Sequence, residues 1–548
     1  MILAIAVATY LFGLGSQHIL RNGDEMVYAH ITRLTAESGH WLPLQSDLSG
    51  TRNTKPPFLF WQGILSTDWA RDWTLVALRW PSVAWTFLTA AVAGLLAWKI
   101  AGRDWRTGLL AAVVYLAFFN TFRYGRPFLT NPPQTFWVMA ALTIMVWGGD
   151  AAFRSRFLVP TLVGLATGVA LLTKSFALLA PIGIALAWWH LRFHRWRPGP
   201  FLVRSAPGLA WIAVLSLAVF SLWFALSPDR AAIWNEFVVR ENLGKFDPKQ
   251  TGYLHRALWG GQSIWMMSIG YFLNAGLLGF PLFGVTVESW KHRAELHDEE
   301  RLLWIWAIVM LLIFCLPSQR SSRYLLDAMP AMAVLFALRW KHVGREAFLL
   351  TLAVALAIVA GIAWISVMLA REVGAGAFGW WHWPLLAGTV TFLLFAMARR
   401  SAAAMSAAPA ALLAVLCLSS FLGVFDAPLG TFDGATQAAA RGRTVWVPYR
   451  FNGSFEQHRF LLPGADVRGF LESNGAPPAT DLGPADLVVV PLPLDDPPPP
   501  GAVGSRLTMT SRHSSAQLKA MALGRVREHL FRREWLVEGG EGGRAVEQ

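Results

Sequence analysis

Apolar runs long enough, or nearly long enough, to cross a bilayer recur from the N-terminus to about Phe425. They fall near 2–20, 80–98, 107–120, 133–149, 158–172, 176–190, 206–224, 263–287, 302–317, 324–338, 347–370, 384–398 and 409–425. A hydrocarbon core about 30 Å thick takes roughly 20 residues rising about 1.5 Å each. Within lipid every backbone N–H and C=O must be satisfied inside its own segment, which leaves helices as the structure for such runs. The pattern predicts an α-helical polytopic membrane protein with about thirteen transmembrane helices. Composition agrees, because 55% of the chain is hydrophobic and only 15% charged, where a soluble domain carries about 25% charged residues. The 28 tryptophans and 35 phenylalanines suit interfacial belts and lipid-facing surfaces.

The net charge of +13 raises nucleic acid as a partner. The arginines, however, fall in short clusters between apolar runs, with no basic stripe interleaved with aromatics, and membrane topology accounts for them. With the N-terminus in the cytoplasm, the short inside connections hold Lys99, Arg103 and Arg106, then Arg154 and Arg156, then Arg192, Arg195, Arg197 and Arg204. Lys291, Arg293 and Arg301 come next, then Arg339, Lys341 and Arg345, and finally Arg399 and Arg400. The short outside connections hold only Arg123, Arg126, Lys174, Arg320, Arg323 and Arg371. This asymmetry predicts a cytoplasmic N-terminus and an odd number of spans. Two long outside loops, near 21–79 and 225–262, result from the same topology. No removable signal peptide is expected, since 2–19 can span and no small-residue cleavage site comes after it. Arginine well above lysine suits a GC-rich bacterial genome, so the inner membrane is the expected location. Cys315 and Cys417 sit inside apolar runs without metal-ligand spacing and are expected to be structural thiols.

The transmembrane part is expected to cover 1–425. From 426 to 548 Pro, Gly, Asp and Arg rise and no run can span, which predicts a small extracytoplasmic α/β domain. Thr444 to Val447 and Asp486 to Val490 read as strands, Ser515 to Arg533 as an amphipathic helix, and Pro497 to Pro500 as a loop.

Candidate chemistry gathers on the outside face. Asp24 and Glu25 stand directly after the first apolar run, with Tyr28 one helical turn on. Carboxylates beside a span are costly unless they face water or a charged ligand. They can serve as a general base or bind a sugar hydroxyl, or they can simply complement the dipole of the helix they start. Lys55, held by Pro56 and Pro57 before the aromatic run Phe58 to Trp61, can neutralise a phosphate or merely snorkel. Lys174 lies in a tight break between two runs, where it can also compensate a helix C-terminus. Glu241, Asn242 and Lys245 lie in the second long loop. Arg320 and Arg323, with Tyr324, can clamp a phosphate or anchor the chain at the interface. Arg126, in the loop before Asn131, adds another outside cation. On the expected topology all these groups share one face, where a lipid-borne phosphate arrives.

These pieces, in this order, resemble the GT-C membrane glycosyltransferases, above all the lipid A aminoarabinose transferases and the protein O-mannosyltransferases. The likeness runs through Asp24-Glu25-Met26-Val27-Tyr28, Lys55-Pro56, Arg79 to Ser82, Leu172-Thr173-Lys174, Glu241 to Phe246 and Arg323-Tyr324, roughly the first 340 residues. It implies an enzyme that moves a sugar from a polyprenyl-phosphate carrier to a cell-envelope acceptor (lipid, protein or glycan) on the non-cytoplasmic side. Asp24 would then be the catalytic base and Lys55 a contact to the donor phosphate. Glu25, Tyr28, Arg126, Asn131, Lys174, Glu241, Asn242, Lys245, Arg320, Arg323 and Tyr324 would be the wider substrate-binding set. Three positions depart from the family pattern. Asn131 stands where the family places an acid, Thr54 where aminoarabinose transferases place an acid before the lysine, and Asn242 where they place a histidine. The acid and the histidine missing at the last two positions are the plausible metal ligands, so no metal of that kind and no other cofactor is expected, and aminoarabinose is disfavoured as the donor sugar. Two other classes stay open: a transporter or flippase for a lipid-linked saccharide, and a non-catalytic protein on the same scaffold. Paired halves with matching broken helices, as transporters often show, are not evident.

Overall fold

The computed structural model describes residues 2–20, 23–48, 51–149, 157–246, 253–260, 263–426, 429–451, 453–474, 477, 483, 485–510 and 513–539. A helix stands at each predicted apolar run. Among the described residues six helices are long and apolar enough to cross a membrane: Leu75–Ile100, Phe176–Phe193, Ala206–Leu226, Gly270–Lys291, Arg345–Arg371 and Arg400–Phe425. A seventh is added if Trp105–Ala117 and Phe119–Gly125, bent by 67° at Phe118, count as one span. The chain is thus a multi-pass membrane protein, with fewer helices of full spanning length than the thirteen runs. Ile2–Leu11, Leu158–Thr173 and His382–Ala398 are apolar but short. Asp298–Cys315 opens on three consecutive acids, Asp298, Glu299 and Glu300.

The N-terminal helices are α1 Ile2–Leu11, α2 Asp24–Glu37, α3 Phe58–Ser66, α4 Leu75–Ile100, α5 Trp105–Ala117, α6 Phe119–Gly125, α7 Asn131–Gly148 and α8 Leu158–Thr173. The first long loop is therefore partly helical, through α2 and α3. Thr74 caps α4 by accepting from the Ala77 amide at 3.2 Å, and Asp104 caps α5 through the Arg106 and Thr107 amides. These caps satisfy N–H groups that a helix start leaves orphaned. Helices α4 and α5 meet backbone to backbone. A Cβ added to Gly108 would lie 2.8 Å from the Gly94 carbonyl oxygen, and one added to Gly94 2.9 Å from that of Gly108. Small residues permit such approach where lipid offers no hydrophobic drive to association.

The C-terminal part forms a five-stranded sheet: β1 Thr444–Tyr449, β2 Asp466–Leu471, β3 Leu487–Pro493, β4 Ala502–Met509 and β5 Phe531–Glu538. Its order is β2-β1-β3-β5-β4, parallel across the first three strands and antiparallel across the rest. Successive side chains alternate between faces. Val445, Val447, Leu487 and Val489 enter one core with Phe455, while Trp446, Val488 and Val490 enter the other. The two predicted strands are β1 and β3. The helix expected over 515–533 ends at Ala522, a second turn spans Val526–Leu530, and Phe531 to Arg533 belong to β5. Gly524, at φ +101°, makes the break.

The sheet domain docks on α2 through buried charge. Glu456, wholly buried, accepts from Arg33 Nε at 2.7 Å and lies 2.9 Å from Nδ1 of His30, whose Nε2 meets Asp47 at 2.6 Å. Burial alone would raise the Glu456 carboxyl. His30, Arg33 and Arg459 instead hold it down at about 2. Gly453, at φ +74°, brings its backbone against Val27, where a Cβ would lie 3.0 Å from the Val27 Cα.

Candidate functional site

Helix α2 opens on two acids, which its dipole favours. Neighbouring residues on a helix project about 100° apart, and here that separates their roles. Glu25 turns inward, pairing bidentately with Arg79 at 2.7 and 3.0 Å and accepting from the Phe128 amide at 2.9 Å. Arg79 also donates to the carbonyls of Leu14 and Ser16 at 2.8 and 2.6 Å. Buried ions persist when paired and fully hydrogen-bonded, so this pair staples the loop to α4. Asp24 turns the other way, into a cavity of about 850 Å³.

Segments distant in sequence bring charge to that cavity. Asp24 and Tyr28 come from α2, and Lys55 from the loop before α3. Lys174 comes from the break after α8, and Glu241 and Asn242 from the π-helical turn Trp234–Asn242. Arg323 and Tyr324 come from the 3-10 segment Ser322–Ala328. Arg323 donates to Asp24 at 2.9 Å, and Lys55 to Glu241 at 2.6 Å. The Lys174 ammonium lies 5.6 Å over the Tyr324 ring. Burial, then the charge of Asp24, pushes the Tyr28 phenol well up, so it stays a protonated donor. Two further contacts tie the first long loop to the second: Arg52 pairs with Asp229, and Asn53 donates its amide N–H to Glu236 at 2.9 Å.

Four of the sequence candidates lie outside the cavity lining, and a fifth, Lys245, falls outside the described side chains. Glu25 is engaged by Arg79. Arg126 is buried and donates to the carbonyls of Tyr10, at 3.0 Å, and Phe12, closing the C-terminal end of α1. Asn131, at the start of α7, lines a small adjoining space with Thr86, Tyr115 and Thr135. Arg320 donates to the Cys315 carbonyl at 2.8 Å and lies 5.2 Å over the Tyr253 ring. The backbone of Lys245 is in a short 3-10 turn, and its side chain lies outside the described part of the structure.

Among the lining residues that sequence reasoning misses, three bear on the chemistry. Asp327 is buried at 3% exposure and accepts from Gln134 and, at 2.8 Å, from Thr135. The signal is present, since an acid inside the predicted run 324–338 marks function by default. Gln134 carries no such mark. Neither does Arg450, which reaches the cavity from the sheet domain beside Phe451.

The residues present do not fit a metal of the kind the family resemblance implies. Thr54 offers only a neutral hydroxyl. Both ends of the Asn242 amide are used, the oxygen accepting from Ser175 at 2.7 Å and the nitrogen donating to the Phe237 carbonyl at 2.7 Å. Glu241 already holds an ammonium group. Divalent ions want anionic or imidazole ligands converging on one point, and among the described residues no three such groups do so.

Fold and site together define a polytopic membrane protein resembling the GT-C glycosyltransferases, with a charged cavity between its two long loops and a sheet domain set against it. Known proteins bear out the resemblance. The family described as dolichyl-phosphate-mannose-protein mannosyltransferase matches residues 21–235. An undecaprenyl phosphate-alpha-4-amino-4-deoxy-L-arabinose arabinosyl transferase of Sodalis glossinidius is 28% identical over 336 residues, covering 60% of this chain and 56% of that protein. The Proteus mirabilis protein of the same description, numbered 2, is 29% identical over 338 residues, with 60% and 57% covered. The chain thus spans a little over half the length of these curated relatives. ArnT from Cupriavidus metallidurans shares the fold with a TM-score of 0.61 at 16% identity, covering 98% of this chain and 97% of that one. Its structure bound to undecaprenyl phosphate gives a TM-score of 0.60, with 97% of each chain covered.

Proposed function

We propose that the protein transfers a sugar from a polyprenyl-phosphate carrier to a cell-envelope acceptor by a single inverting displacement. The observation that carries this reading is the convergence of Asp24 with Lys55, Lys174 and Arg323 on one cavity. Asp24 takes the proton of the acceptor hydroxyl as that oxygen attacks the anomeric carbon from the face opposite the phosphate. The C–O bond to the carrier breaks, and the three cations receive the phosphate's charge. Because phosphate leaves well, the site needs no second carboxyl as general acid, unlike a glycosidase. Preorganised cations in a partly dry cavity supply much of the stabilisation, and the base adds about 10²- to 10⁴-fold.

On this reading the shorter apolar helices complete about thirteen spans of a bacterial inner-membrane protein. The N-terminus is cytoplasmic, and the cavity and the domain 426–548 face outward. Seventeen lysines and arginines on the short inside connections, against six outside, support that orientation. Lys55, Lys174 and Arg323 take the electrostatic role without a metal. The names of the relatives support a polyprenyl phosphate as carrier.

The test is mass spectrometry of cell-envelope glycans from cells with the protein, without it, and with Asp24→Asn at equal expression. A sugar addition that requires the protein and vanishes with D24N is expected. Transfer retained in D24N rejects the base assignment, and movement of lipid-linked sugar across the membrane without transfer favours a flippase.

A further inference from the structure

Asp327 is the buried acid of the cavity that the displacement itself does not use. It lies in the segment Ser322–Ala328 that also carries Arg323 and Tyr324, and its two carboxylate oxygens accept from Gln134 and Thr135 on α7. Two neutral donors do not balance a buried carboxylate, which needs a counter-charge. Lys174 lines the same cavity and is the cation placed to supply it. The same ammonium rests 5.6 Å over the ring of Tyr324. Lys174 stands directly after α8 on a flexible four-carbon stem, and an ammonium of that kind is aimed only by what surrounds it. Asn131, one helical turn before Thr135 on α7, is 5% exposed, and its amide nitrogen has no hydrogen-bond partner. That corner of α7 therefore holds no charge of its own.

We propose that Asp327 is a positioning residue for sugar transfer. Reaching across to α7, it supplies the negative charge that Asn131 lacks and holds the Lys174 ammonium at the floor of the cavity, where the carrier phosphate binds. This inference rests on the polyprenyl-phosphate reading. It adds that the affinity for phosphate depends on a carboxylate, which by simple Coulombic repulsion should weaken anion binding. Positioning outweighs repulsion because Asp327 is already engaged on its other side by Gln134 and Thr135.

The test is binding of undecaprenyl phosphate in detergent micelles to the purified full chain, followed by tryptophan fluorescence, with sugar transfer assayed on the same preparations. Asp327→Asn should weaken binding about tenfold, and Lys174→Met at least as much. K174M/D327N should bind no worse than K174M within about twofold, because both changes remove one unit. Binding of D327N within twofold of wild type overturns the proposal, as do losses that multiply in the double variant. A purely structural Asp327 would lower thermal stability and binding alike, independently of Lys174. If D327N does not purify as folded protein, N131D/D327N takes its place, since it returns a carboxylate to the same corner. Binding within threefold of wild type then upholds the proposal, and binding as weak as that of K174M overturns it. Wild-type protein that neither binds undecaprenyl phosphate nor transfers sugar would reject the proposed function itself, a result distinct from any of these.

Discussion

The carboxylate of Asp24 accepts from the guanidinium of Arg323 at 2.9 Å, a contact between residues 299 positions apart. It joins the start of the first long loop's helix α2 to the segment Ser322–Ala328. The same opposition recurs at Lys55 and Glu241, 186 positions apart, at 2.6 Å. Two of the cavity's cations are thus matched with carboxylates, and on the proposed function a phosphate would bind by exchanging with a carboxylate as well as by attraction. On the proposed function, exchange at Arg323 would free Asp24 to act as a base once the donor phosphate is bound.

Arg323→Met should weaken undecaprenyl phosphate binding about 10- to 100-fold, in keeping with hydrogen bonds to charged groups worth about 1.5–3 kcal/mol. Arg323→Lys should recover only part of this, because an ammonium group lacks the planar fork that can hold Asp24 and a phosphate oxygen together. Titration of the purified variants with undecaprenyl phosphate measures both. Equal affinity of R323M and wild type would remove Arg323 from the donor site.

Glu241→Gln should act in the opposite direction. It removes the carboxylate that competes for Lys55 in a part-exposed pair, a contact worth up to about 1 kcal/mol or about fivefold. Phosphate product should bind up to about fivefold tighter and leave more slowly, so turnover falls while single-turnover transfer is kept. Comparing steady-state with single-turnover rates in E241Q separates these effects. A variant that binds product more weakly would show that Glu241 orients Lys55 more than it competes for it.

The apolar helices and the charges beside them are legible in the sequence, because both depend on local composition. Asp24, Lys55, Lys174 and Arg323 stand out as charges beside apolar runs, and all four line the cavity. Glu25 is not separable from Asp24 by sequence, since only the helical rotation, with Arg79 waiting on one side, assigns one to structure and the other to the cavity. Arg126 reads as an outside cation but closes the end of α1, because a chain bent at Phe118 turns it inward. Arg450 has no local mark at all. Its place at the cavity depends on a domain docked through Glu456, His30 and Arg33, far apart in the chain. Strands β2, β4 and β5 escape sequence reading for a related reason. Their residues, such as Asp466, Arg468, Arg506 and Arg533, read as polar loop or helix until cross-strand pairing fixes which face each occupies.

Gly108→Leu should destabilise the helix bundle without touching the cavity. The added side chain has no room against the Gly94 carbonyl, and overpacking of this kind costs about 1–3 kcal/mol. The unfolding midpoint in detergent should fall, while undecaprenyl phosphate affinity at low temperature stays at the wild-type value. An unchanged midpoint would mean that α4 and α5 separate easily at this crossing.

The junction between α2 and the sheet domain should be sensitive to pH on both sides. Glu456 titrates at about 2 in the folded protein against 4.5 for a free glutamate, so its stabilisation is complete above about 4.5 and is lost as pH falls through about 2. His30 moves the other way. Burial lowers its pKa, but its contacts with Asp47 and Glu456 outweigh burial and leave it above its ordinary 6.5. Its stabilisation is therefore complete below 6.5 and is lost as pH rises through the folded value. The junction should be tightest between about pH 4.5 and 6.5. Limited proteolysis of the full chain around 426–434 should run faster at about pH 9 than at about pH 5.5, on either side of the His30 titration, once corrected for protease activity on an unfolded control. In His30→Gln the two rates should converge, because the titrating group is gone. Glu456→Gln should open the junction at every pH, since breaking a buried charge network by one partner costs about 3–5 kcal/mol. If wild-type cleavage is the same at both pH values, His30 does not hold the domain through its charge, and the contact with Arg33 alone carries the docking.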